Sequence, residues 1–153
     1  MNAIAGISTT RPVKFFNAED AEVRRGKSVT ENAIGEAVLG AAMKVHSAVG
    51  PGLLESVYET CLTHELRIQG FNVQRQVALP VEYDGQRIDA GFRLDILVAE
   101  KVVVEVKAVE RTAPIHTAQI LTYLKLGGFK LGYLLNFNVV HMRDGIKRLV
   151  NDL

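Results

Sequence analysis

Residues 89 to 107 read Asp89-Ala-Gly-Phe-Arg-Leu-Asp95-Ile-Leu-Val-Ala-Glu-Lys-Val-Val-Val-Glu105-Val-Lys107, and they restrict the fold more than any other stretch. Two apolar runs rich in β-branched residues, Phe92 to Ala99 and Val102 to Ala108, are separated only by Glu100-Lys101, the spacing of a tight hairpin. Side chains alternate between the faces of a strand. Val102, Val104, Val106 and Ala108 therefore point one way, and Val103, Glu105 and Lys107 the other. A carboxylate and an ammonium then share a face of a strand whose opposite face is wholly apolar. Hairpin pairing around residues 100 and 101 brings Asp95 of the preceding strand near Glu105 or Val106.

Two acids converging at a sheltered sheet position repel, which raises one pKa unless a cation is supplied. Mg²⁺ suits such a place: it is hard, takes oxygen ligands, and is often held by one or two carboxylates with water and substrate phosphate completing its shell. Lys107 would then orient or deprotonate a water, or neutralise charge on a phosphate. The same residues also suit a cross-strand ion pair on a solvated sheet face, and this stretch alone does not separate the two.

The flanking sequence supplies helices and further strands. Ser28-Val-Thr-Glu31 has the form of a capping box, and Ile34, Val38, Ala41, Ala42, Val45 and Val49 continue as an amphipathic helix ended by Gly50-Pro51-Gly52. A second helix is expected from about Leu53 to Gln69, stopped at Gly70, with Leu54, Val57, Tyr58, Cys61, Leu62 and Ile68 as its apolar stripe. Glu55 falls on the edge of that stripe and Glu59 further toward solvent. Residues 71 to 82 alternate apolar and polar, as an edge or near-edge strand does. Tyr83-Asp84-Gly85-Gln86 carries the Asp-Gly pair of two-residue hairpins, so residues 71 to 109 form a three-stranded antiparallel meander. Pro114 opens a helix from about Ile115 to Leu126, closed by Gly127-Gly128 and apolar all round, hence expected to be largely buried. Gln119 and Tyr123 share one of its faces, with His116 a turn earlier. Leu131 to Phe137 reads as a buried strand, and Arg143-Asp144-Gly145-Ile146 as a hairpin turn between short strands reaching Val150. The histidines and the single cysteine, Cys61, lack the paired spacing of a zinc site.

Three of these segments carry a resemblance. Asp95 followed, after a short hairpin, by Glu105-Val106-Lys107 resembles the acid and (D/E)-x-K signature of the PD-(D/E)XK nuclease superfamily, with Leu94 where a proline is often found. Gly52-Leu-Leu-Glu55-Ser-Val-Tyr58 resembles the signature of the bacterial GxxExxY proteins, a branch of that superfamily. Gln119-Ile-Leu-Thr-Tyr123 resembles the Gln-x-x-x-Tyr motif of RecB-like nucleases. The resemblance covers roughly residues 30 to 140 and implies an α/β fold of α+β type, with a restriction-endonuclease-like α-β-β-β-α-β core and a mixed sheet flanked by helices. It implies hydrolysis of DNA or RNA phosphodiester bonds by metal-activated water, with Mg²⁺ or Mn²⁺ as cofactor. Asp95 and Glu105 would bind the metal together with the backbone carbonyl of Val106, and Glu55 would add to the metal shell, Glu59 being the reserve. Lys107 would activate water or steady the phosphate, Gln119 would position Lys107 or a ligand, and Tyr123 would contact substrate. Two other classes stay open, since a fold does not fix a function: a non-catalytic nucleic-acid-binding module, and a protein-interaction module, including a homodimer.

Length and charge set the outer bounds. With 153 residues and 48% hydrophobic content, the chain supports one ordinary core. Residues 1–27 show no regular period and are read as a flexible extension, with residues 28–153 as a single nuclease-like domain. No apolar run approaches the roughly 20 residues that cross a bilayer, and the lone cysteine suits a reducing compartment, so a cytoplasmic protein is expected. A net charge of +1 excludes the bulk basic character of a strong polyanion binder. The distribution is uneven: residues 1 to 100 carry 10 basic and 13 acidic side chains, residues 101 to 153 carry 8 and 4. The basic excess in the second segment suits guidance of a polyanion toward an acidic centre, and equally a mixed solvated surface.

Overall fold

The computed structural model describes residues 28–153; the extension expected over residues 1–27 lies outside them. Helices α1 (Glu31–Val49) and α2 (Glu55–Ile68) precede three strands, β1 (Val73–Tyr83), β2 (Gln86–Val98) and β3 (Val102–Lys107). Helix α3 (Pro114–Gly127) crosses to β4 (Leu131–Asn136), and a 3-10 turn at Met142–Gly145 leads into β5 (Ile146–Val150). The sheet runs β1-β2-β3-β4-β5, with β3 and β4 parallel and every other neighbouring pair antiparallel. The mixed sheet and the expected order of helices and strands are therefore present, as is the meander of the first three strands. The final segment departs from expectation. The connection is longer than a tight hairpin turn: the chain leaves β4 at Asn136, buries Met142 in the core within the 3-10 turn, and only then returns as β5 antiparallel to β4.

Apolar periodicity assigns the layers. On one side of the sheet, Ile34, Val38, Ala41, Ala42 and Val45 of α1 and Tyr58, Leu62 and Leu66 of α2 pack on Val102, Val104 and Val106. On the other side, Ile120 and Leu124 of α3 pack on Val103, Leu134 and Leu149. The β3 alternation read from the sequence thus separates two cores, one per face. Gly132 of β4 lets α3 approach closely, since a Cβ there would meet Ile120 and Leu124 at 3.1 Å.

Several local expectations need correction. The cap of α1 is Thr30, whose hydroxyl accepts from the Ala33 N–H at 3.1 Å. The Ser28 hydroxyl is taken instead by Lys101 Nζ, which also donates to the Val29 carbonyl and ties this segment to the β2–β3 turn. In α2 the buried stripe is Tyr58, Glu59, Leu62, Thr63 and Leu66, while Leu54, Val57 and Ile68 are exposed. The helix starts at Glu55, so Leu54 caps it from outside the packed face. Helix α3 is not largely buried either: only Ile120 and Leu124 are, and Ile115, Leu121 and Leu126 face outward. One sheet face covers one helical stripe and no more. Asp84-Gly85 forms the expected hairpin tip, both residues at positive φ, as a type I′ turn requires.

Candidate metal centre

The pairing of β2 with β3 extends only from Val98↔Val102 to Ile96↔Val104, whereas β3 stays paired with β4 through Lys107↔Asn136. The first two strands of this trio part at the next step, and carboxylates bridge the fork. The Val106 N–H donates to Asp95 Oδ2 at 2.9 Å, and the Asp95 N–H donates to Glu105 Oε1 at 3.3 Å. Asp95 thus touches both positions expected of it. Asp95 is half-buried, and Glu105 is buried at 5% exposure. Burial first, and the negative charge of Asp95 second, push the Glu105 carboxyl up to about 9, with the Lys107 ammonium pulling the other way. Such displacement in a sheltered group marks functional sites more often than chance.

Helix α2 brings its first residue to the end of β3, and among the described residues not into a cluster with Asp95 and Glu105. The Tyr58 hydroxyl donates to the Gly50 carbonyl at 2.6 Å and accepts from the Leu53 N–H at 3.0 Å, and its ring stacks on Phe137 at 4.5 Å. Tyr58 so fixes the turn through Gly52, which sits at φ 96°, and the turn sets the helix start. Glu55, exposed in the first turn of α2, accepts from the Ala108 N–H at 3.4 Å, just past β3. Gly52, Glu55 and Tyr58 form one device: a turn, the acid it aims, and the ring that anchors both.

From the opposite layer, Tyr123 stacks on Phe92 at 4.8 Å. Its phenol is pushed up by burial and then by the charge of Glu105, against the pull of Gln119. Tyr123 therefore lies within electrostatic reach of the acids, and Gln119 beside its phenol. They are less enclosed than expected, Gln119 being exposed and Tyr123 half-buried. His116 faces the start of its own helix, where Nδ1 accepts from the Ala113 N–H at 3.0 Å.

Two residues of this region escape a sequence reading. Asn136, buried at the end of β4, accepts from the Val109 and Asn138 amides and donates to the Val109 carbonyl. Its side chain serves as a strand partner beyond the end of β3 and fixes the exit next to Lys107. Glu59, expected nearer solvent and held as a reserve ligand, is buried and engaged by Arg75 and Gln76. The partners that reveal these roles, Val109 for Asn136 and Arg75 and Gln76 for Glu59, lie 16 to 27 positions away.

A family model described as the PD-(D/E)XK nuclease superfamily matches residues 32–149. The chain belongs to that superfamily. No curated protein and no solved structure matches it. PD-(D/E)XK nucleases generally use divalent metals, so the donor set here has to be weighed against that need. Among the described residues, no three His, Cys, Asp or Glu side chains are drawn together as a closed metal cluster. A closed cluster is not what a small hard cation demands, since one or two carboxylates with water and phosphate oxygens suffice. Asp95 and Glu105 supply two carboxylates side by side at the fork, the charge of Asp95 raising the cost of ionising Glu105, and in a PD-(D/E)XK chain that repulsion is what such an ion relieves. The donor set fits. Cys61 and His64 line a separate apolar groove between α1 and α2 and have no part in it. Among the described residues no helix is long and apolar enough to cross a membrane.

Proposed function

We propose that the protein is a Mg²⁺-dependent nuclease, Mn²⁺ substituting, that hydrolyses phosphodiester bonds of DNA or RNA. The observation that carries this is the pair of hydrogen bonds by which the Asp95 and Glu105 carboxylates each take a backbone N–H across the strand fork, from Val106 and Asp95 respectively, with Lys107 two residues beyond Glu105. In this reading Asp95, Glu105 and the Val106 carbonyl hold the cation, and Glu55 joins them from α2. The ion supplies Lewis acidity toward a phosphate oxygen and makes bound water more acidic. Lys107 steadies the phosphate and orients the attacking water. Gln119 positions Lys107, and Tyr123, on the rim with Phe92 behind it, contacts the nucleic-acid backbone.

The test is cleavage of single- and double-stranded DNA and RNA with Mg²⁺ or Mn²⁺, beside calorimetric titration of the ion. Asp95→Ala and Lys107→Ala are expected to abolish cleavage while melting remains cooperative. Failure to cleave any nucleic acid, with no metal binding, overturns the proposal. Salt-dependent binding without turnover, insensitive to Lys107→Ala, would identify a non-catalytic binding module on the same fold. Absence of nucleic-acid binding with a dimer by light scattering would identify a protein-interaction module.

A further inference from the structure

We propose that Glu59 is a positioning residue that holds the β1–β2 hairpin turned over at the level of Asp95, and so delivers that carboxylate to the metal centre. The inference rests on the reading above for the word metal, and on hydrogen bonds alone for the placement of Asp95.

A regular strand keeps residues i, i+2 and i+4 on one face. In β1, Val73 packs on the α1/α2 side and Val77 on the α3 side. In β2, Leu94 packs on the α3 side and Ile96 on the α1/α2 side. Both strands change face at one level. Their register does not slip there, since Arg75 lies opposite Ile96 and Val77 opposite Leu94. The residue between on β1 is Gln76, at φ 51°; the residue between on β2 is Asp95. A side-chain-bearing residue in the left-handed region is strained and persists where its surroundings hold it.

Glu59 does the holding. From α2 its carboxylate accepts from Gln76 Nε2 at 3.0 and 3.2 Å and from Arg75 Nε at 3.1 Å. These are the two residues at which β1 turns over. The matching turn in β2 releases the Asp95 carboxylate from the ladder toward the Val106 N–H. Without the turn, Asp95 would follow Ile96 in regular alternation onto the α3 face opposite Glu105, its carboxylate standing out of the sheet and away from the Val106 N–H that lies in the ladder. The arrangement accounts for an acid buried on α2 beside Tyr58 and Leu62.

The test reads amide hydrogen exchange in the metal-free protein, with Val106 as reporter and Val103 and Val104 as internal controls. Glu59→Ala is expected to lower Val106 protection about tenfold relative to the controls, and to weaken Mn²⁺ binding in calorimetry by a similar factor. Glu59→Gln, which keeps an acceptor oxygen, should lose about threefold or less. Gln76→Gly on the Glu59→Ala background should restore Val106 protection, since glycine adopts positive φ without strain. If Glu59→Ala does not fold, Gln76→Ala removes the same amide while leaving Arg75 on Glu59. A parallel fall at Val103, Val104 and Val106, or unchanged Val106 protection in a folded variant, overturns the proposal. Selective loss at Val106 in a protein whose parent binds no Mn²⁺ would remove the metal reading and keep Glu59 as the holder of Asp95.

Discussion

Glu59 and Glu105 are buried to nearly the same degree, 6% and 5% exposed, yet the groups they meet carry opposite charge. Glu59 meets a guanidinium and a side-chain amide, so its charge is answered inside the protein. Glu105 meets another acid, Asp95, with Lys107 as a partial counterweight. Burial of a carboxylate is costly in both places. In one it is offset by partners already present; in the other the offset is left to something that binds. The difference teaches that burial by itself does not distinguish a structural acid from a functional one. The sign of the nearest charge does.

The largest effect that sharpens this contrast is on turnover. Glu105→Ala should lower metal-dependent cleavage by about 10³-fold, in the range for losing a group that stabilises developing charge, whereas Glu59→Gln should stay within about fivefold. Equal losses would break the comparison. Initial rates at saturating Mg²⁺ decide it.

The next effect is on stability against pH. The Glu105 carboxyl is raised from 4.5 to about 9 in the folded state, so between those values the folded protein keeps a proton that the unfolded chain has released. Stability therefore falls as pH rises from about 4.5 to about 9. Glu105→Gln removes that dependence and should be the more stable protein at pH 8, by on the order of 3 kcal/mol. Urea melts of the metal-free proteins at pH 5 and pH 8 measure it, and Mg²⁺ added at pH 8 should narrow the gap by stabilising the parent.

Glu59→Ala acts in the opposite sense. It strands Arg75 and Gln76 and should cost about 2 kcal/mol at neutral pH, as denaturant midpoints would show. Smallest of all is Tyr123→Phe. The ring stack on Phe92 survives, only the phenol is lost, and cleavage should fall about threefold with the loss in KM.

Much of the proposed centre was legible because it depends on local periodicity. Alternation in Val102 to Lys107 places Glu105 and Lys107 on one face whatever else the chain does. The two-residue spacing at Glu100-Lys101 brings Asp95 opposite them, and Asp84-Gly85 closes the hairpin before it. Gly52, Glu55 and Tyr58 are close enough in sequence to be read as one turn and helix start. The exposure of α3 was misread because an all-round apolar helix says nothing about how many neighbours it meets.

Sequence by itself therefore determined which side chains share a strand face, where the turns fall and which family the chain resembles, because these follow from backbone geometry over a few residues. Tertiary structure alone decided that Glu59 is answered and Glu105 is not, that Asn136 completes the exit of β3, and that β1 and β2 turn over together at Gln76 and Asp95. The reason is physical. A buried polar group is defined by the partner that satisfies it, and Asn136 finds its partner 27 positions away, Glu59 its own 16 and 17 away, distances that no periodic pattern encodes.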